Sequence, residues 1–115
     1  MEDESEITIV LADDHAMVRE GLRSMLNAPR LKVIGEASNG DEAVQKILAL
    51  KPLVALLDIR MPTLDGIQAL EAIKTAKSSA RVIMLTTYRS THYLLRSLSA
   101  GAAGFVLKDT SRDEL

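Results

Sequence analysis

The hydrophobic positions of this chain form two kinds of pattern that alternate along it. Five runs are short, mostly apolar and rich in β-branched residues, which is typical of buried strands. They occupy residues 7–12, 31–37, 53–57, 82–85 and 105–107. The run at 53–57 is almost wholly apolar, as expected for a central parallel strand that is covered on both faces.

Four segments between these runs carry apolar residues at helical spacing, with polar residues between them. The apolar stripes are Val18, Leu22 and Met25; Ala43, Val44, Ile47 and Leu48; Ile67, Leu70 and Ile73; and Leu94, Leu95 and Leu98. Strands that alternate with helices form parallel sheets with right-handed crossovers. The pattern therefore predicts a doubly wound α/β fold with five strands.

Composition indicates one globular domain. The chain has 115 residues, of which 47% are hydrophobic, and its net charge is −2. It contains no cysteine, which excludes disulfides and thiolate metal sites. Residues 1–6 are acidic, unlike a signal peptide, and no apolar stretch is long enough to span a membrane. We expect a flexible N-terminus at 1–6, a domain at 7–115, a cytoplasmic location and no membrane partner.

Charged and hydroxyl side chains follow four of the five predicted strands. In doubly wound sheets the site lies beyond the carboxyl ends of the strands, where the strand order reverses. Asp13 and Asp14 follow the first strand, Asp58 the third, Thr86 the fourth and Lys108 the fifth. We therefore expect these five side chains to converge at one edge of the sheet.

The chemistry of this set points to a metal ion and a phosphoryl group. Three neighbouring carboxylates repel one another, so they favour a bound cation. Oxygen ligands favour a hard ion such as Mg²⁺, which usually shares its coordination shell with water and phosphate. A carboxylate can also attack phosphorus and form an aspartyl phosphate. The lysine and threonine are suited to the phosphoryl oxygens, whose charge must be neutralised during transfer.

Four motifs resemble those of response-regulator receiver domains of two-component systems. They are residues 10–15 (VLADDH), 57–62 (LDIRMP) followed by Asp65-Gly66, 84–87 (MLTT) and 101–108 (GAAGFVLK). Residues 13–22 (DDHAMVREGL) and the ending Leu107-Lys108-Asp109 are similar to the NarL/FixJ subfamily. Members of that subfamily usually carry a C-terminal LuxR-type helix-turn-helix.

The resemblance implies a flavodoxin-like sheet of strand order 2-1-3-4-5 and a site for Mg²⁺ or Mn²⁺. Asp58 would be the phosphoacceptor and also a metal ligand. Asp14 would bind the metal directly, and Asp13 would bind it largely through water. The backbone carbonyl of Arg60 would complete the protein's share of the coordination.

The same resemblance assigns roles around the phosphoryl group. Thr86 and Lys108 would contact its oxygens, and Phe105 would turn inward together with Thr86 as a conformational switch. Arg60 and Tyr88 would overhang the site, and because both are bulky we predict slow hydrolysis of the acyl phosphate.

The implied function is a phosphorylation-dependent signalling switch. The phosphoryl group would come from a sensor histidine kinase or a small-molecule donor. The domain would promote its own phosphorylation and dephosphorylation without being an enzyme in the usual sense. It would control a LuxR-type transcription regulator that binds DNA through a helix-turn-helix absent from this chain, and homodimerisation is a further option.

The C-terminal residues predict a helix that this chain does not complete. Ser111 and Glu114 have the spacing of a capping box, yet the sequence ends at Leu115. We expect a truncated fifth helix, a longer parent protein, and either marginal stability or self-association. Asp109 stands where many receivers have proline after the lysine, so the geometry of the Lys108–Asp109 bond stays open.

Several of these residues have a simpler structural explanation. Asp13 and Asp14 could form a turn and a helix N-cap, and Asp65 is better explained as the N-cap of the third helix. Lys108 could be a surface lysine, Phe105 could be an ordinary core residue, and His15 is expected in the first turn of a helix.

Three other functions are weighed against the receiver hypothesis. A haloacid-dehalogenase-type phosphatase needs a second aspartate two positions after the nucleophile, where this chain has Arg60. A nucleotide- or flavin-binding module needs a glycine-rich loop after the first strand, and residues 13–20 contain no glycine. A degenerate receiver, acting only in protein interactions, would have lost an acidic residue or the lysine.

Overall fold

The computed structural model describes residues 6–86 and 91–107, which form one five-stranded parallel sheet of order β2-β1-β3-β4-β5. The strands are β1 (Ile7–Ala12), β2 (Leu31–Ala37), β3 (Val54–Asp58), β4 (Arg81–Thr86) and β5 (Gly104–Leu107). The helices are α1 (Ala16–Met25), α2 (Gly40–Leu50), α3 (Gly66–Thr75) and α4 (Thr91–Ser99). The predicted doubly wound fold and its strand order are confirmed.

Three strands, β3, β4 and β5, differ by one residue from their predicted bounds, because main-chain pairing, not side-chain polarity, decides where a strand begins and ends. Asp58 was expected to follow the third strand, but it is the last residue of β3 and pairs with Leu85. Arg81 and Thr86 likewise belong to β4, although both are polar. The ladder continues one residue further, since the Ile59 amide donates to the Leu85 carbonyl at 3.1 Å.

Alternate residues of each strand pack on opposite faces of the sheet. On one face, Val10, Leu57 and Met84 pack with buried residues of α2 and α3 in a large apolar core. On the other face, Leu11 and Leu56 form a smaller buried cluster against partly buried residues of α1. We call these the α2/α3 face and the α1 face.

Two glycines bring helices close to the loop that follows β3. A side chain at Gly66, the first residue of α3, would place its Cβ 2.2 Å from the main-chain oxygen of Asp58. A side chain at Gly40, the first residue of α2, would place its Cβ 2.0 Å from the Leu64 oxygen. Only glycine fits such contacts, so residues 58–66 are held against α2 and α3.

Several predictions fall outside the described residues. These are the flexible N-terminus at residues 1–6, of which only Glu6 is described, the roles of Tyr88 and Lys108, and the truncated fifth helix. Among the described residues, no helix has both the length and the apolar character needed to cross a membrane.

Candidate functional site

The strand register brings Asp13 and Asp58 to the same level at the carboxyl edge of the sheet. Ala12, the last residue of β1, lies opposite Leu57 of β3, so the next residue on each strand is an aspartate. β1 pairs with β2 on one side and with β3 on the other. The two aspartates therefore flank the point where the strand order reverses, which is where doubly wound folds bind their ligands.

The turn after β1 gathers three potential metal-binding side chains. The main-chain amide of His15 donates a 2.9 Å hydrogen bond to Asp13 Oδ1. This bond closes a turn of a kind that aspartate side chains favour. His15 Nδ1 lies 3.2 Å from Asp13 Oδ1 and 2.9 Å from Asp14 Oδ1. One potential donor atom from each of the three residues lies within 4.8 Å of the others, a spacing that a single metal ion could bridge.

The two aspartates of this turn differ in their access to solvent. The side chain of Asp13 is fully buried, whereas that of Asp14 is 30% exposed. Asp14 also lines an open cleft of about 410 Å³, whose other walls are Ile59, Arg60, Met61, Pro62, Asp65 and Tyr93. Asp14 is thus the carboxylate of the turn that faces the cleft.

Asp58 directly precedes Ile59 and Arg60, which line that cleft. It is only 5% exposed, and an ionised carboxylate at such depth is costly unless cations or hydrogen bonds compensate it. Thr86, the last residue of β4, is 1% exposed and follows the residue that pairs with Asp58.

The family is decided by comparison with known proteins. The sequence profile described as "Response regulator receiver domain" matches residues 9–115, nearly the whole chain. The chain belongs to the response-regulator receiver domain family. Its relatives and structural neighbours include NarL and other LuxR-type regulators, so the NarL/LuxR-type resemblance is confirmed.

Relatives and solved structures agree on this assignment. The transcriptional regulatory protein LnrK of Bacillus subtilis is 41% identical over 110 residues, which is 95% of this chain and 50% of LnrK. The receiver domain of the NarL regulator from Mycobacterium tuberculosis has 38% identity and a TM-score of 0.93, over 96% of this chain and 90% of that one. The CheX–CheY–BeF₃–Mg²⁺ complex of Borrelia burgdorferi matches with 28% identity and a TM-score of 0.89, over 96% and 84%. The chain spans about half the length of the curated relatives it matches.

Two predicted details of this receiver domain are now settled. Asp65 is the N-cap of α3, because its side chain accepts from the Gln68 amide at 2.8 Å and Gln68 returns the contact as a capping box. His15 is not in the first turn of a helix. It is the N-cap residue, with extended backbone, and its ring lies beside Asp13 and Asp14.

The structure gathers most, but not all, of the predicted site residues. Asp13, Asp14, Asp58, Arg60 and Thr86 all lie at the carboxyl edge of the sheet. The role of each stays a prediction, as does that of Phe105.

Phe105 lies in β5 opposite Met84 and packs, partly buried, on the α2/α3 face. It therefore packs against the core, and its role as a conformational switch stays a prediction. Lys108 and Tyr88 lie outside the described residues.

Sequence reasoning missed Arg19 altogether. The hydrophobic pattern makes Arg19 only one of the polar residues of an amphipathic helix, yet its guanidinium donates to the Asp13 carbonyl. A contact of this kind depends on how the helix leaves the turn, which the hydrophobic pattern does not encode.

Proposed function

We propose that this receiver domain accepts a phosphoryl group on Asp58 and acts as a phosphorylation-dependent switch. The observation that carries the proposal is the register of β1 and β3, which brings Asp58 level with the acidic turn at Asp13 and Asp14. Three carboxylates, of which Asp14 lines an open cleft, favour a divalent cation and a phosphoryl donor over an apolar ligand.

The donor atoms fit Mg²⁺ or Mn²⁺. They are carboxylate oxygens, which these hard cations prefer. Asp14 faces the cleft and suits direct binding, whereas buried Asp13, already bonded to the His15 amide, suits binding through water. Asp58 and the Arg60 carbonyl would supply the remaining protein oxygens. When bound, the cation would neutralise negative charge on the phosphoryl oxygens.

The chain's own residues would then perform the transfer. A carboxylate oxygen of Asp58 attacks the phosphorus of a phosphohistidine or acyl phosphate, and an acyl phosphate bond forms. The bond from phosphorus to the donor nitrogen or oxygen breaks, and the donor group leaves with its electron pair. Thr86 and Lys108 would hold the phosphoryl oxygens, and water would later return Asp58 to a free carboxylate.

The signal would pass from Asp58 to the surface through Thr86 and Phe105. Thr86 ends β4, and Phe105 lies on the neighbouring strand β5. A shift of Thr86 toward the phosphoryl group would let Phe105 move inward and alter the surface of α4 and β5. Such a local electrostatic event biases a two-state element.

The proposed partners follow from the family and the relatives. The donor would be a sensor histidine kinase, and the output would be control of a transcription regulator that binds DNA through a separate domain. Bulky Arg60, which lines the cleft, and Tyr88 would slow hydrolysis of the acyl phosphate.

Intact-protein mass spectrometry after incubation with acetyl phosphate tests the proposal. We expect the mass of one phosphoryl group to be added only with Mg²⁺ or Mn²⁺, and to be removed by hydroxylamine. Asp58→Asn should abolish the gain, whereas the matched change Asp41→Asn, in the first turn of α2 and outside the cleft, should retain it. Equal labelling of the Asp58 variant would contradict the proposal.

A further inference from the structure

Arg19 joins the acidic turn to the neighbouring strand β2. Its Nη1 donates to the main-chain oxygen of Asp13 at 2.5 Å, and its Nε donates to Glu36 Oε1 at 3.1 Å. Its side chain is only 19% exposed. Two different nitrogens of one guanidinium therefore bind two separate segments, the turn after β1 and strand β2, which the planar fork of arginine permits.

Glu36 is itself held in place. Its carboxylate also forms an ion pair with Arg23, whose Nε lies 3.0 Å from Glu36 Oε2, and its main-chain oxygen accepts from the Lys46 ammonium. The resulting chain of contacts runs from α2 through Glu36 and Arg19 to the carbonyl of Asp13. Arg23 shares the glutamate but makes no contact with the acidic turn among the bonds and ion pairs that the structure describes.

We propose that Arg19 is a positioning residue for the metal site. The Asp13 carbonyl belongs to the peptide unit that links Asp13 to Asp14. Holding that carbonyl in place holds the peptide plane that contains the Cα atoms of both aspartates, and so orients both side chains. The inference rests on the proposed function, since it takes Asp13 and Asp14 to be the metal-binding carboxylates.

Geometry and charge predict opposite effects for Arg19, which makes the inference testable. The positive guanidinium repels a nearby cation, so Coulomb's law alone predicts tighter Mg²⁺ binding when the charge is removed. A positioning role predicts weaker binding whenever the fork is lost, because outer contacts that orient ligands contribute about 10–100-fold to metal affinity. Lysine keeps the charge but has one nitrogen, which cannot serve Asp13 and Glu36 in the same way.

The experiment compares Arg19→Lys with Arg23→Lys by calorimetric titration of Mg²⁺ and by thermal unfolding. We expect Arg19→Lys to weaken Mg²⁺ binding about tenfold, and Arg23→Lys to leave it unchanged. Arg19→Gln should also weaken binding, although it removes a positive charge. Glu36→Asp, which keeps the negative charge but shortens the anchor of Arg19, should give a smaller loss of the same sign and serves if the Arg19 variants unfold.

The outcomes separate this inference from the proposed function. Wild-type affinity in Arg19→Lys, tighter binding in Arg19→Gln, or equal losses in the Arg19 and Arg23 variants would each overturn the positioning role. In those cases the wild-type protein still binds Mg²⁺ and the proposed function stands. If the wild type does not bind Mg²⁺ at all, both the proposed function and this inference fail.

Discussion

The two faces of the sheet hold the candidate site by different means. Among the described residues, fifteen buried apolar side chains belong to the core of the α2/α3 face and only four to that of the α1 face. Helix α1 itself has no buried residue in this part of the chain. Its Arg19 and Arg23 are instead tied to Glu36 by ion pairs.

This contrast divides the site into two parts. The loop after Asp58 is fixed by close apolar packing and by the glycine contacts of α2 and α3. The acidic turn at Asp13 and Asp14 leads into α1 and is fixed mainly by polar contacts. Close packing resists small displacements, whereas the turn depends on a few partly buried polar contacts, each of which contributes only about 1 kcal/mol. The phosphoacceptor is thus expected to be rigid and the metal-binding turn to be adjustable.

The largest expected effect compares one leucine on each face. Leu70 of α3 is fully buried in the core of the α2/α3 face, whereas Leu22 of α1 is only partly buried. Leu70→Ala should lower the free energy of unfolding by about 4 kcal/mol, because it leaves a cavity that cannot collapse. Leu22→Ala should cost about half as much or less, since solvent already reaches its site. Urea unfolding measures both, and equal losses would break the comparison.

The next largest effect on stability compares one glycine of α3, on the α2/α3 face, with one glycine of α1. Gly66→Ala should lower the free energy of unfolding by about 3 kcal/mol, because the new Cβ meets the Asp58 main-chain oxygen. It should also slow labelling by acetyl phosphate, since that oxygen belongs to the phosphoacceptor.

Gly21→Ala is the matched control on α1. No atom lies within 4 Å of its Cβ position, so alanine's higher helix propensity should raise the free energy of unfolding by about 1 kcal/mol. Labelling should keep its wild-type rate. Losses of similar size in the two glycine variants would contradict the difference between the faces.

The smallest effect concerns Glu42 at the start of α2. The main-chain N–H of Ser38, which donates to this carboxylate at 2.8 Å, holds the pKa of Glu42 below its usual range, with help from Lys46. Because the pKa of Glu42 is lower in the folded state, its charged form stabilises the fold at pH values above the unfolded-state pKa of about 4.3. This stabilisation is lost as the pH falls through the folded-state pKa. Glu42→Gln should therefore cost less than about 0.5 kcal/mol at neutral pH, because the pair is exposed to solvent.

Urea unfolding of both proteins over a pH series checks this effect. The difference between wild type and Glu42→Gln should shrink as the solution is made acidic. A difference that stays constant, or grows with acidity, would show that the carboxylate charge is not its source.

The sequence predicted the strands and helices well because each one repeats its hydrophobic pattern over several residues. Asp58 could be singled out because it ends an almost wholly apolar run. That Asp58 lies inside β3, however, depends on pairing with Leu85 across the sheet. The contacts of Arg19 and His15 depend on the path of a three-residue turn, which leaves no periodic signal in the sequence.

The central claim is that Asp13, Asp14 and Asp58 converge on one cation. Paramagnetic Mn²⁺, added in small amounts while amide NMR signals are recorded, tests it directly. The account predicts that signals of residues 13–15 and 58–60 broaden together at the lowest Mn²⁺ concentration, while those of Lys51 and Ser78, beyond the C-terminal ends of α2 and α3, stay sharp. Broadening confined to residues 13–15, or centred on another acidic residue such as Glu42, would contradict it.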